Sequence, residues 1–476
     1  MKTKAMETRN NELYLGDYKV SDLAKAYKTP LYIYDEVHIR SKLDTFRKWF
    51  KSDHYKCEVV YASKAFLAPY ICKLIEEYDM GIDSVSLGDL YILQQAKFPF
   101  ERVTMHGNNK DTDELEFCVK NDIGYIVIDN YNELLQLETI VNNLQKATKI
   151  LIRVNPGIEA HTHAYIKTSL LSSKFGESIF DIDRLGKMID ICHKNEYLKL
   201  EGFHAHIGSN INNPKSFIGE AEVMCDFICL MKEKFNYDTK VLNLGGGFGI
   251  KYLESDAEIN LELMLQGIIE TIDGFITSNK IAIEKLMIEP GRAVVGDAGF
   301  TVYTVGGTKA TFGGKKYVFV DGGMTDNIRP ALYQAKYTIA IANKMHQEAK
   351  QAYDVVGKCC ESGDIVACDV MLSDVERGDY VVAFSTGAYG YSMASNYNGA
   401  LKAAVIFVNG EDINMAIRRE RLADLNKTNI LSHQKVFDIH SDMLYDLYTN
   451  KKKGINNRFN NVHVPQLLNS NITGSI

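Results

Sequence analysis

The sequence predicts an α/β fold, a (β/α)8 TIM-type barrel followed by an antiparallel β domain, and three observations carry that reading. Between roughly residues 55 and 292 one unit recurs, a short apolar run of β character and then a longer amphipathic stretch. The runs end in polar residues or glycine rather than fading into further apolar sequence. From about residue 300 the pattern changes to strands separated by Gly and Asp turns, with little helix between them.

Taken in order, the runs are CEVVYASK (57–64), GIDSVS (81–86), RVTMHG (102–107), YIVIDN (125–130), KILIRVN (149–155), LEGFHAHIG (200–208), KVLNLGGG (240–247) and KLMIEPGR (285–292). Segments such as APYICKLIEEYDM (68–80) and DELEFCVKN (113–121) lie between them with helical spacing. Eight parallel strands each need a crossover to return the chain to the same end, which is what these segments supply. An open doubly wound sheet would show the same periodicity. The run ends favour the barrel, because there they converge on one rim: Lys64, Ser86, His106, Asp129, Asn155, His206, three glycines and Glu289. Ser86 and Asp129 taken singly read as turn or helix-cap residues.

The later strands are FTVYTVGG, KKYVFVDGG, DIVACDVML, DYVVAFSTG and KAAVIFVNG. The expected division is residues 1–37 as a segment whose TPLYIYD run joins the β domain, 38–299 as the barrel, 300–425 as the β domain, and 426–476 as a tail.

Bulk properties narrow the function. With 476 residues the chain is long enough for two domains and an extension. A hydrophobic share of 46% and a charged share of 24% fit a soluble globular protein, and a formal net charge of -7 argues against a nucleic-acid binder. No apolar run is long enough to span a bilayer, and the first residues lack the apolar core of a signal peptide. Nine cysteines, an odd number with no CxxC pair, read as reduced thiols in a cytoplasm.

Four segments carry chemistry. Lys64 closes the first barrel run, where partial desolvation would make its amine a nucleophile toward an aldehyde; alone, it would read as an ordinary solvated lysine. GGGFG (245–249) follows the seventh run, the usual place in a barrel for backbone N–H groups to meet a phosphate. EPGR (289–292) ends the eighth, where a carboxylate could hold a protonated pyridine nitrogen. CCESGD (359–364) puts a thiol beside a carboxylate in the β domain, suited to proton donation and ammonium binding, or simply a buried thiol beside a solvated acid. His204 and His206 alternate on one run and face the same side. No further cluster stands at ligand spacing in the barrel, so stacking on a cofactor ring is expected rather than a metal site.

With these four segments in this order, the chain resembles the fold-type III pyridoxal-phosphate decarboxylases, and within them the diaminopimelate decarboxylase family. MHGNNK (105–110), SKFG (173–176), HAHIGSN (204–210), DNIRPALY (326–333) and GAYGYSMASNYN (387–398) extend the match over roughly residues 10–425. The resemblance implies that Lys64 carries pyridoxal 5'-phosphate, that His206 stacks on its ring, and that Glu289 pairs with the pyridine nitrogen. It implies a phosphate held by Gly245, Gly246, Gly247 and Tyr389, with Pro290 and Gly291 shaping the turn beside it. Arg292, Arg329 and Tyr333 would grip the distal carboxylate of meso-diaminopimelate, and Glu361 its distal ammonium. Cys360 would protonate the carbanion. Cys360 and Glu361 would come from the partner subunit of a homodimer with shared active sites.

Other readings are weaker. An alanine-racemase-like enzyme would place an arginine where Glu289 stands. Ornithine, arginine or carboxynorspermidine decarboxylases are disfavoured by CESGD together with NIRPALY. A binding-only homologue is disfavoured by Lys64, Glu289 and Cys360 all being present. The tail departs from the pattern: VFDIHSDMLYDLY (436–448) resembles the opening of a renal-type dipeptidase, a zinc barrel in which His440 and Asp442 would be ligands. A stable zinc site needs three or four protein ligands, so none is expected here.

Overall fold

The computed structural model describes residues 3–158, 173–279 and 281–429. Residues Met1–Arg419 make one compact unit, and Glu420–Ile476 a second. His440, Asp442 and nearly all of the 426–476 tail lie outside the described residues.

All eight expected barrel strands form: Lys56–Tyr61, Gly81–Ser84, Val103–Met105, Tyr125–Ile128, Thr148–Asn155, Leu198–His204, Val241–Asn243 and Lys285–Ile288. Each pairs in parallel with the next, and the eighth pairs with the first, Lys285 opposite Lys56 and Ile288 opposite Val59, which closes the cylinder. The alternation of side chains fills it. Val60, Val127, Leu151, Val241 and Met287 form a cluster of their own with Tyr125. Their chain neighbours Val59, Tyr61, Ile126, Ile128, Ile150, Ile152, Leu242, Leu286 and Ile288 pack into the much larger cluster shared with the helices. The first set therefore points into the barrel and the second outward, as the two-residue period of a strand requires. Burying each such side chain stabilises the fold by about 1.5–3 kcal/mol.

Helix starts are written locally. Asp111 and Glu114 form a capping box for Thr112–Lys120, and Ser86 accepts from the Asp89 N–H to cap Leu87–Ala96, each cap contributing about 1 kcal/mol. The β/α alternation is displaced by one element. After the eighth strand there is only the short helix Arg292–Val295, and the place next to Leu261–Asn279 that a helix after that strand would fill is taken by Glu36–Trp49, which precedes the first strand.

The β domain corrects the expectation of a purely antiparallel sheet. Gly299–Ala310 pairs antiparallel with Lys316–Val320, Tyr380–Ala383 and Leu31–Asp35. Leu31–Asp35, however, pairs in parallel with Ala404–Asn409, and Lys316–Val320 in parallel with Gln351–Val356. Both parallel pairs are joined by long connections, one of them the entire barrel, which is what a parallel pairing demands. Strands Ile339–Ile341, Gln351–Val356 and Asp412–Ile417 were not predicted. Among the described residues no helix is long and apolar enough to cross a membrane.

Candidate active site

A cavity of about 650 Å³ opens at the C-terminal rim of the barrel, where the fold places catalytic residues. Lys64 lines it from a 3-10 turn, Ser63–Ala65, directly after the first strand. That turn is fixed twice. The Ser63 N–H donates to Asp83 on the second strand at 2.7 Å, and the Ala65 carbonyl accepts from the Tyr389 N–H at 2.9 Å and the Ser392 hydroxyl at 3.0 Å. The lysine turn is thus tied to a loop of the β domain. Desolvation of Lys64 was expected; instead its side chain is exposed to the cavity, because the strand ends before it and the 3-10 turn carries it past the packed interior.

Asp83 is buried beneath it. Burial pushes its carboxyl up to about 6, opposed by the positive charges of Lys64 and His106. Glu289, at the end of the eighth strand, is as deeply placed, yet it is held well below the ordinary carboxylate range by His106 and His204, which outweigh its burial. His106 Nε2 stands 2.8 Å from Glu289 Oε1, His204 Nε2 3.1 Å from Oε2, and the Asn243 amide donates to Oε1 at 2.8 Å. The expectation that His204 has no third ligand-type partner is corrected here. His106, His204 and Glu289 present ligand atoms within 4.8 Å of one another, brought together from three strands that are distant in sequence. His206 lies apart from them: its Nδ1 accepts from the Gly246 N–H at 3.2 Å, and burial, followed by the charges of Lys64 and Arg153, keeps the imidazole well below its usual value and therefore neutral.

Pyridoxal phosphate can be tested against this frame. Gly246 and Gly247 line the cavity. A Cβ on Gly246 would stand 2.0 Å from the Glu289 carbonyl oxygen, and one on Gly247, at φ +104°, 2.3 Å from that of Gly208. Only glycine builds so close a cradle. Arg292, 7% exposed, donates to the hydroxyls of Tyr252 and of Ser209 (3.0 Å). Its buried Nε has no partner, a donor suited to an anionic group at the rim. The residues present fit the cofactor.

The structure does not bring all predicted residues to one place. Lys64, His206, Gly246, Gly247, Glu289, Gly291, Arg292 and Tyr389 line the cavity. Gly245 and Pro290 stand behind it, the first donating to Asn243 Oδ1 at 2.8 Å and the second accepting from the Ala62 N–H at 3.0 Å. Arg329 is half-buried beside Tyr389, whose ring lies 4.8 Å from the Arg292 guanidinium and 5.6 Å from that of Arg329. Tyr333, Cys360 and Glu361 are exposed and do not line the cavity. The loop carrying Cys360 and Glu361 is pinned by Asp364, which accepts from the backbone N–H groups of Met324 and Cys359, each at 2.7 Å.

Sequence reasoning missed Asp83, Arg153, Asn243, Tyr252 and Tyr337, and gave His106 no role. Asp83 and Asn243 stand inside apolar strands, where a polar residue was itself the available signal. Tyr337 is buried, accepts from Arg329 Nε at 2.9 Å, and meets Tyr252 edge-on at 5.5 Å; no local motif marks it.

Fold and cradle together define a barrel-type enzyme that depends on pyridoxal phosphate. Residues 36–296 match the family model described as "Pyridoxal-dependent decarboxylase, pyridoxal binding domain". The diaminopimelate decarboxylase of Bacillus subtilis is 41% identical over 426 residues, 89% of this chain and 96% of that protein. That of Staphylococcus aureus is 41% identical over 418 residues, 88% and 97% of the two chains. Among solved structures, the M. jannaschii diaminopimelate decarboxylase in complex with L-lysine aligns with a TM-score of 0.82 at 29% identity, over 90% of this chain and 98% of that one. The Helicobacter pylori enzyme complexed with L-lysine gives 0.76 at 31%, over 86% and 98%. This chain belongs to the diaminopimelate decarboxylase family.

Proposed function

We propose that the chain decarboxylates meso-2,6-diaminopimelate to L-lysine and CO2, the last step of lysine biosynthesis, with the residue roles that follow. The observation that carries the substrate reading is the pair of guanidinium groups, Arg292 and Arg329, that both lie against the ring of the cavity-lining Tyr389. Bidentate guanidinium contacts recognise a carboxylate directionally. A substrate lacking the distal carboxylate leaves them unpaired, at a cost of about 1–3 kcal/mol per group.

When bound, pyridoxal phosphate supplies the electron sink for the carbanion left as CO2 departs. Lys64 holds the cofactor covalently between turnovers. Glu289 keeps a proton at the pyridine nitrogen, and His206 packs against the ring. The glycines at 245–247 and Tyr389 receive the phosphate, with Pro290 and Gly291 fixing the adjacent turn. Tyr333 joins the two arginines at the distal carboxylate, and Glu361 takes the distal ammonium. The Cys360 thiol donates the proton to the carbon that loses its carboxylate. Cys360 and Glu361 act in the cavity of the partner subunit in a homodimer, a reading supported by their exposure and by their not lining the cavity of their own chain. A cytoplasmic setting fits nine cysteines that are all free thiols.

Tyr252 and Tyr337 hold the two arginines from behind. Arg329→Met is expected to raise KM for diaminopimelate about ten- to a hundredfold, the loss of charge-assisted hydrogen bonds. Tyr337→Phe, which only frees Arg329 Nε, is expected to raise it about fivefold. Steady-state kinetics on diaminopimelate measures both; an unchanged KM in Arg329→Met would remove Arg329 from the substrate site.

A further inference from the structure

We infer that His106 and His204 are positioning residues, two N–H donors that bracket Glu289 and leave its Oε2 as the oxygen able to accept one more hydrogen. The inference rests on the reading of Glu289 as partner of the cofactor's ring nitrogen.

A carboxylate 8% exposed inside a barrel loses most of its hydration, and burial alone would leave it protonated. Asp83 shows that tendency a few strands away. Glu289 differs in its donors. Oε1 receives His106 Nε2 and the Asn243 amide, both at 2.8 Å, whereas Oε2 receives only His204 Nε2 at 3.1 Å. A carboxylate oxygen accepts about two hydrogen bonds, so Oε1 is filled and Oε2 is not. Each imidazole spends Nε2 on the carboxylate, which fixes the hydrogen there. His204 Nδ1 is buried with no partner, so nothing stabilises a second proton on that ring, and burial lowers its pKa to about 4. His204 therefore acts as a neutral donor and does not take the ion-pair form. The two rings meet edge-on, centroids 4.8 Å apart and planes at 64°, which fixes the directions of both N–H groups. Lys64, Asp83, Arg153 and His206 are the other titratable groups lining this part of the cavity; none of them donates a hydrogen bond to Glu289.

The test uses holoenzyme reconstituted with pyridoxal phosphate carrying 15N in its ring, read by 15N NMR beside steady-state kinetics. His106→Leu and His204→Leu should each lower the fraction of protonated ring nitrogen and lower kcat about tenfold, the weight of one hydrogen bond to a charged group. KM should stay within about threefold, since the loss falls on the reacting state rather than on substrate binding. His106→Gln and His204→Gln, which keep an N–H donor, should recover most of both readouts. Leucine variants with a protonated ring and unchanged kcat would overturn the inference, as would glutamine variants as impaired as the leucine ones. Glu289→Gln separates the two readings. If it too leaves the ring protonated, the pairing of Glu289 with the cofactor fails; if it alone removes the proton, only the role of the histidines fails. The His106 variants, at the edge of the cavity, decide the matter should those at His204 not fold.

Discussion

Replacing Lys64 with alanine is expected to lower turnover by at least about a thousandfold, ~4 kcal/mol of transition-state stabilisation, and to remove the covalent hold on pyridoxal phosphate. Lys64 is the lysine that lines the cavity from the end of the first strand, and its turn is tied both to Asp83 and to the Tyr389 loop. The other lining lysine, Lys174, stands in SKFG (173–176), beside barrel strand Thr148–Asn155 but not at a strand end, just before the short strand Glu177–Ser178 that pairs with it. Among the described residues, no other lysine lines the cavity from the end of a barrel strand. Borohydride reduction of the wild-type holoenzyme followed by peptide mapping should find the cofactor on Lys64. Dialysis of Lys64→Ala should remove the visible absorption that wild type retains, and a band surviving unchanged would sink the assignment.

Cys360→Ala is expected to cost about 10²–10⁴-fold in kcat, the scale of a lost general acid, although Cys360 is exposed and outside the cavity of its own chain. The shared-site reading makes a sharper prediction. Lys64→Ala and Cys360→Ala proteins, each nearly inactive, should recover activity when mixed and allowed to exchange subunits. Half of the dimers would then be mixed, and each mixed dimer would have one intact site, so recovery should approach about one quarter of wild type. No recovery despite demonstrated exchange would mean that Cys360 acts within its own subunit or not at all.

How much of this was legible depended on range. The eight barrel strands were readable because apolar runs and their polar ends are local signals, and Lys64, Glu289 and the 245–247 glycines stood at those ends. The helix Glu36–Trp49 taking the eighth place in the ring was not readable, because closure pairs Lys285–Ile288 with Lys56–Tyr61 across more than two hundred residues. Nor was the parallel pairing of Leu31–Asp35 with Ala404–Asn409. At the site, His204 and His206 looked equivalent because strand alternation puts both on one face. In the fold the first turns to Glu289 and the second to Gly246, a distinction made by His106 and Asn243 on other strands. Tyr337 was invisible for the same reason: its meaning is its contact with Arg329, and the sequence shows only a tyrosine.

The most direct test of the central claim is incubation of the purified chain with pyridoxal phosphate and meso-diaminopimelate, scoring L-lysine and CO2, with L-ornithine and L-arginine alongside. Lysine and CO2 formed in equal amounts from diaminopimelate alone is the predicted result. Turnover of ornithine or arginine in its place would contradict the two-arginine account of the substrate, and silence on all three would contradict the enzyme itself.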